Sequence, residues 1–345
     1  MRILLIRTSA LGDVVHCLPV LSALRRELPE AVLGWIVEGA MEPALQGHPD
    51  LDELIVVRLR AWRHRLTARR TRRELRELRH RLRAFRPDVV LDLMGNHKAG
   101  ALAWLSGCRR RIGLERRARR EPSSALWINE SVPPRGDHAV DRAMSLLPAL
   151  GLRQARVDFQ GEKLFREPSA EADRLTAGGG EYVLLSPGAG WHNKRYPARS
   201  WAAAASQLAE SSSLEVWVTC GPGEEDLAQE VVSHARGEVR WIGLTDLPTL
   251  AWLLRRARLF LGGDTGPLHL AHALGTPVLS VMGPTDPERH GPYGAPDRAL
   301  ALSLPCSHCY RRMNQPKGCM LALPPRQVVA RAQRILNAHV HLAIN

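Results

Sequence analysis

Short apolar runs separated by longer amphipathic stretches recur along this chain, and the series restarts once, after residue 180. Arg2–Arg7, Ala31–Val37, Glu53–Val57 and Asp88–Asp92 have the length and apolar character of strands covered on both faces. Helical spacing fills 17–28, 67–85 and 97–107 between them. Strand, helix and strand in that order imply a parallel sheet with right-handed crossovers. The second series places strands at Tyr182–Ser186, Leu214–Thr219, Arg258–Gly262 and Val278–Met282, with helices near 199–210, 225–235 and 266–274. A chain of 345 residues is long enough for two such domains, each with its own core. The expected fold class is α/β: two Rossmann-like domains, 1–160 and 175–325, with parallel sheets facing across a cleft. The segment 151–180 is less periodic, contains Gly178-Gly179-Gly180, and reads as the connection. A final helical pattern near 325–339, in the tail 326–345, can pack back on either domain, the N-terminal one included.

In sheets of this kind ligands bind beyond the C-terminal ends of the strands, so the loops that follow strands are the place to look for chemistry. Thr8-Ser9-Ala10-Leu11-Gly12-Asp13 follows the first strand and puts backbone N–H groups and a carboxylate at that edge. Asp13 also fits a helix N-cap. Ser186-Pro-Gly-Ala-Gly-Trp-His-Asn-Lys194-Arg195-Tyr-Pro197 occupies the equivalent place in the second series, where small residues admit a phosphate and two basic groups supply charge. Gly262-Gly-Asp264-Thr265-Gly266-Pro267-Leu-His269-Leu-Ala271 follows another strand and opens a helix. There Asp264 or Thr265 can cap, Pro267 suits the first turn, and free N–H groups face an anion. Gly221-Pro-Gly-Glu224-Glu225-Asp226 offers carboxylates for ribose hydroxyls, though acidic residues at a helix start also suit the helix dipole. Two anion-binding loops in one domain point to a diphosphate.

The net charge of +13 is concentrated in the first half. Residues 58–86 hold thirteen Arg and no Lys against Glu74 and Glu77, and 108–120 hold seven Arg against Glu115. Leu75, Leu78, Leu82 and Phe85 make one apolar stripe on a helix whose other faces are Arg, either a solvated surface or a face held to an anionic membrane or acceptor. No stretch has the length of a transmembrane helix and the start lacks a signal peptide, so a cytoplasmic protein is expected. Cys306-Ser-His-Cys309 with Cys319 is half of a zinc pattern, and His308 inside it is an awkward ligand. Aromatics at 5%, with little interleaving in the basic stretch, argue against nucleic acid as the partner. A nucleotide-sugar epimerase and a non-catalytic nucleotide-binding module remain as alternatives on residues alone.

In combination, Ile6-Arg-Thr-Ser-Ala-Leu-Gly-Asp13-Val-Val-His-Cys-Leu-Pro19, Ser186–Tyr196 and Gly263–His269 resemble glycosyltransferase family 9, in order and over nearly the whole chain. That family contains the ADP-heptose:lipopolysaccharide heptosyltransferases, and the resemblance is greatest to its heptosyltransferase I subfamily. It implies a GT-B fold and an inverting transfer of L-glycero-D-manno-heptose from ADP-heptose to the Kdo inner core on lipid A. A second heptose or another sugar is the alternative. It implies no essential cofactor or metal, and a peripheral place on the cytoplasmic face of the inner membrane, reached through 58–86. By the same resemblance Asp13 is the catalytic base. Ser9, Gly12, Lys194, Glu224 or Glu225, Asp264, Thr265, Gly266 and His269 bind the donor. Arg60, Arg63, Arg120 and His138 present basic groups to the acceptor. Met313 stands where the family often has another Cys, and Ala10 where a hydroxyl is common.

Overall fold

The computed structural model describes residues 1–63, 68–315 and 317–343, without the side chains of Arg63 and 339–343. The chain divides into two compact units, Met1–Arg166 and Glu167 onward. The first runs β1 (Arg2–Ile6), α1 (Leu11–Val15), α2 (Leu18–Glu27), β2 (Val32–Glu38), β3 (Glu53–Val57), α3 (Leu59–Arg63), α4 (Arg69–Phe85), β4 (Val89–Asp92), α5 (His97–Leu105), β5 (Arg110–Leu114), β6 (Glu130–Val132) and α6 (Ala139–Met144). The second runs α7 (Ala170–Thr176), β7 (Tyr182–Ser186), α8 (Ala198–Ser212), β8 (Glu215–Cys220), α9 (Glu225–His234), β9 (Val239–Leu244), α10 (Leu247–Arg256), β10 (Leu259–Gly263), α11 (Gly266–Ala273), β11 (Val278–Met282), α12 (Pro287–His290), β12 (Ala299–Ala301), α13 (Gly318–Leu321) and α14 (Pro325–Ala343).

The strand orders are β3-β2-β1-β4-β5-β6 and β12-β11-β10-β7-β8-β9, with parallel pairing throughout. Counted from the first strand of each unit, the two orders are the same doubly wound Rossmann arrangement. Each reverses direction at one place: between β1 and β4 in the first unit, between β7 and β10 in the second. Loops leaving strands on either side of such a reversal part company and leave a crevice at the C-terminal edge.

The central strands are apolar because helices cover both faces. Ile3, Leu4, Leu5 and Ile6 are fully buried, and each such side chain contributes roughly 1.5–3 kcal/mol on leaving water. On α4 the stripe packs as its spacing requires: Leu78, Leu82 and Phe85 are buried with β1, β2 and α5, and Leu75 packs partly against them. Gly34 on β2 makes room, since a Cβ there would lie 2.7 Å from Phe85 Cζ.

The segment 151–180 is divided between the units. Lys163 donates to both carboxylate oxygens of Asp50 at 2.8 Å in the first, while Ser169 bonds Thr249 at 2.9 Å in the second. The last helix, α14, packs on the second unit, where Val328, Ala332 and Ile335 join Trp201, Ala205 and Leu208 of α8 in one core. Among the described residues no helix is long and apolar enough to cross a membrane.

Candidate functional site

Each unit gathers its chemically capable residues at its own sheet reversal. In the first, Arg7 ends the apolar run of β1 and the chain turns through Thr8, Ser9 and Ala10 into α1. Ala10 is the N-cap and Asp13 the third helical residue, so Asp13 is not the cap that its sequence position also suggested. Its Oδ2 accepts from the Ala10 N–H at 3.1 Å, and its Oδ1 is ion-paired with Arg7 Nη2. The Asp13 side chain is 35% exposed, whereas Arg7 is largely buried. Arg7 Nη1 donates to the carbonyl of Leu93, just beyond β4, so one guanidinium bridges the two strands at the reversal. Ser9 lies in the turn and Gly12 is buried in the first turn of α1. With five residues, α1 is too short for its dipole to make an anion site.

In the second unit the loop after β7 meets the loop after β10. Lys194 Nζ donates to Asp264 Oδ2 at 2.5 Å, Thr285 Oγ1 donates to the same oxygen at 2.8 Å, and His269 Nε2 lies 3.4 Å from Oδ1. Burial alone would push the Asp264 carboxyl up. The hydrogen bond from His269 and the charge of Lys194 reverse that and hold it well below the usual carboxylate range. Thr265 is the N-cap of α11 with extended backbone, and its hydroxyl does not cap the helix. Asp264 is turned to Lys194 rather than to the helix, so the N–H of Gly266 opens α11 without a side-chain cap. Lys194 also sits 4.5 Å from the Trp191 ring centre, with Arg312 at 4.5 Å from the same ring.

Glu224 and Glu225 differ in packing. Glu224 lies against the Gly188 backbone so closely that a Cβ at 188 would be 1.9 Å from its Oε2. It accepts from the Gly221 N–H at 3.3 Å and faces Arg195 at 3.6 Å. Glu225 is the first residue of α9. The structure therefore joins Glu224, Lys194, Asp264 and His269 to the two loops, with Thr265 and Gly266 at the start of α11.

Thr285 bonds this cluster, and Asn193 and His290 pack in the loops around it. Thr285 follows β11 in a Gly283-Pro284-Thr285-Asp286 turn, a small-residue turn of the kind that flagged the other loops. Asn193 is fully buried; its Nδ2 donates to the Arg311 carbonyl at 2.7 Å and ties the 311–313 loop to the Lys194 loop. His290 packs edge-on to Tyr310 at 5.8 Å and is pulled down to about 4, first by burial, with Asp264 opposing and Arg289, Lys194 and His269 assisting.

The four expected acceptor groups sit in different settings. Arg60 is exposed on α3, with its N–H donating to Glu38 Oε1 at 3.3 Å. The Arg63 side chain lies outside the described residues. Arg120 is exposed beside Arg119, whose side chain is fully buried in a pair with Asp92. His138 is buried; it caps α6 by accepting from the Val140 N–H at 3.1 Å and packs edge-on to His16 at 5.3 Å. In the cysteine loop, Cys309 Sγ accepts from Lys317 at 2.7 Å, Cys306 is exposed and Cys319 is buried. Among the described residues no group of three or more His, Cys, Asp or Glu is placed to hold a metal ion.

The model of glycosyltransferase family 9 (heptosyltransferase) matches residues 75–320. Lipopolysaccharide heptosyltransferase 1 of Pseudomonas aeruginosa is 32% identical over 90% of this chain and 87% of its own length. The Escherichia coli K12 protein of the same name is 28% identical over 85% of this chain and 91% of its own. Among solved structures, E. coli heptosyltransferase WaaC with ADP superposes with a TM-score of 0.80 at 26% identity, covering 97% of this chain and all of the other. E. coli ADP-heptose lipopolysaccharide heptosyltransferase II shares the fold, with a TM-score of 0.77 at 19% identity over 98% of this chain and 99% of the other. Two doubly wound units of identical strand order, with the Asp13 and Asp264 loops each at a sheet reversal, agree with these similarities: the chain belongs to glycosyltransferase family 9, the heptosyltransferases.

Proposed function

We propose that this enzyme transfers L-glycero-D-manno-heptose from ADP-heptose to the Kdo inner core of lipid A, with inversion at the anomeric carbon. The observation that carries the reading is the Lys194–Asp264–His269 cluster at the mouth of α11, with Glu224 seated against Gly188. Such a cluster offers a fixed cation and helix N–H groups to a diphosphate, and a carboxylate to ribose hydroxyls. The names of the relatives, and the ADP in the WaaC structure, support the nucleotide and the sugar.

In this reading Asp13 takes the proton of an acceptor hydroxyl as that oxygen bonds the anomeric carbon. The bond from that carbon to the diphosphate breaks on the opposite face, through an oxocarbenium-like transition state. ADP leaves with the bonding pair, and Lys194 and the first turn of α11 stabilise the charge that grows on it. Ser9 and Gly12 are assigned to the donor. Arg60, Arg63, Arg120 and His138 are assigned to the acidic acceptor.

The acceptor is lipid-linked, and the first unit has a surface suited to an anionic bilayer. Arg69, Arg72, Arg73, Arg76, Arg79 and Arg83 are exposed on α4. Trp104 on the neighbouring α5 and Leu126 are 61% and 67% exposed. The enzyme would then work peripherally on the cytoplasmic face of the inner membrane.

The test is a panel of nucleotide sugars. ADP-heptose should raise the melting temperature, since a ligand at 100 times its Kd adds about 2.7 kcal/mol. It should also yield ADP and heptosylated product only when Kdo-lipid A is present. Stabilisation by a UDP-sugar instead, or sugar turnover without an acceptor, would reject the reading.

A further inference from the structure

We propose that Arg7 is a positioning residue for sugar transfer: its guanidinium fixes the orientation of the Asp13 carboxylate toward the acceptor hydroxyl. The proposal rests on Asp13 acting as the base.

Arg7 Nη2 engages Oδ1 of Asp13, and the Ala10 N–H donates to its Oδ2. An ionised carboxylate is an acceptor with about four lone-pair sites. Two donors on two oxygens fix the carboxylate plane, which a lone side chain on a five-residue helix would not hold. Arg7 is itself anchored independently of Asp13. Its Nη1 donates to the Leu93 carbonyl beyond β4, and its own carbonyl accepts from Nε1 of the fully buried Trp35 on β2 at 3.0 Å. Leu93 in turn donates its N–H to the Ile6 carbonyl at 3.2 Å. Arg7 therefore passes the rigidity of three central strands to one carboxylate. A planar fork with donors in fixed directions can bond Leu93 and Asp13 together, whereas the ammonium of Lys is a point charge on a flexible stem.

Among the described residues, other titratable groups near the pair come from β4, α1 and α2, with His138 of α6 behind His16. Asp92 ends β4 and is paired with Arg119. His16 follows α1 and packs on His138 at the start of α6. Cys17 precedes α2, and burial pushes its thiol up to about 12, so it is neutral at working pH. Removing Arg7 takes away a cation bonded to Asp13, which disfavours the ionised carboxylate.

The experiment measures kcat, donor KM and the pH profile of kcat for full-length variants, with melting curves to verify folding. Arg7→Met should lower kcat by about 10- to 100-fold, part of the about 10²–10⁴ that a positioned base supplies. Donor KM should stay within about twofold, because the interaction lost acts in the transition state rather than in donor binding. The acid limb of kcat should move to higher pH. Arg7→Lys should restore the acid limb and part of kcat. In an Asp13→Asn background, Arg7→Met should add no further loss, as expected for residues that act as a unit. An unmoved acid limb, or an equal loss in the Asp13→Asn background, overturns the proposal. If Arg7→Met does not fold, Arg7→Lys decides: a lower kcat at unchanged donor KM and melting temperature supports it, and an unchanged kcat rejects it. Should Asp13→Asn keep most activity, the base reading itself fails, and the proposal falls with it.

Discussion

Lys194 and Asp264 lie 70 residues apart and are bonded at 2.5 Å, one from each side of the reversal in the second sheet. Each is more than four-fifths buried, so the pair is held away from solvent screening. The geometry has an energetic consequence. Burial opposes ionisation of Asp264, while His269 and Lys194 overcome it, so its folded-state value lies below its unfolded one. A depressed carboxylate stabilises the fold above the ordinary carboxylate range, and that contribution is lost as pH falls through the lowered value.

Lys194→Met should therefore cost about 3 kcal/mol at pH 7, the lower end of what breaking a buried pair costs, because His269 and Thr285 still hold Asp264. The gap between variant and wild type should narrow toward pH 4, as Asp264, without the charge of Lys194, takes up a proton. Denaturant titrations at the two pH values measure this. An equal gap at both would mean that Asp264 is not the partner whose charge matters.

Glu224→Ala should weaken ADP binding by about 10- to 100-fold, the equivalent of about 1.5–3 kcal/mol for a hydrogen bond to a charged group. Gly188→Ala should weaken it in the same direction, since its Cβ would displace Glu224. The double variant should be more stable than the sum of the two single losses predicts, because removing Glu224 relieves the clash. Calorimetric titration with ADP and thermal melts together report these effects. Strict additivity of the two stability losses would contradict the packing described.

Replacing Arg69, Arg72, Arg73 and Arg76 by Glu should reduce co-sedimentation with anionic vesicles by at least about tenfold, given roughly 1 kcal/mol per basic residue near a charged surface. Binding of the wild type should fall steeply with salt. The melting temperature should change little, because these side chains are exposed. Equal binding of both proteins to anionic vesicles would make α4 an ordinary solvated helix.

His48 is buried in the first unit and drawn down to about 4, mainly by burial, with Asp50 opposing and Lys163 assisting. A histidine whose folded value lies below its unfolded 6.5 contributes stability above that value and loses it as pH falls toward 4. His48→Asn keeps an acceptor for the Asp50 N–H and removes the titration. Its stability should fall less than that of the wild type between pH 6.5 and 4. Parallel curves over that interval would show that His48 is not a source of acid sensitivity.

The sequence by itself determined the repeated strand–helix order, and with it two parallel sheets and the edge where ligands bind. The reason is that side-chain period and loop composition are local properties: Ile3–Ile6 and Val183–Leu185 are apolar without alternation because both faces are covered. The same locality marked Asp13, Lys194 and Asp264 as residues that follow strands. Strands β5, β6, β9 and β12 were not legible, since β5 opens with two Arg and β6, β9 and β12 are only partly buried. Only tertiary structure decided that Glu224 rather than Glu225 meets Gly188, that Thr285 donates to Asp264, and that Arg7 is ion-paired with Asp13. It also decided that α14 belongs to the second unit. The contacts of Asp264 with Lys194 and Thr285 depend on a strand order that brings loops distant in the chain to one edge of the second sheet, and no window of neighbouring residues carries that order.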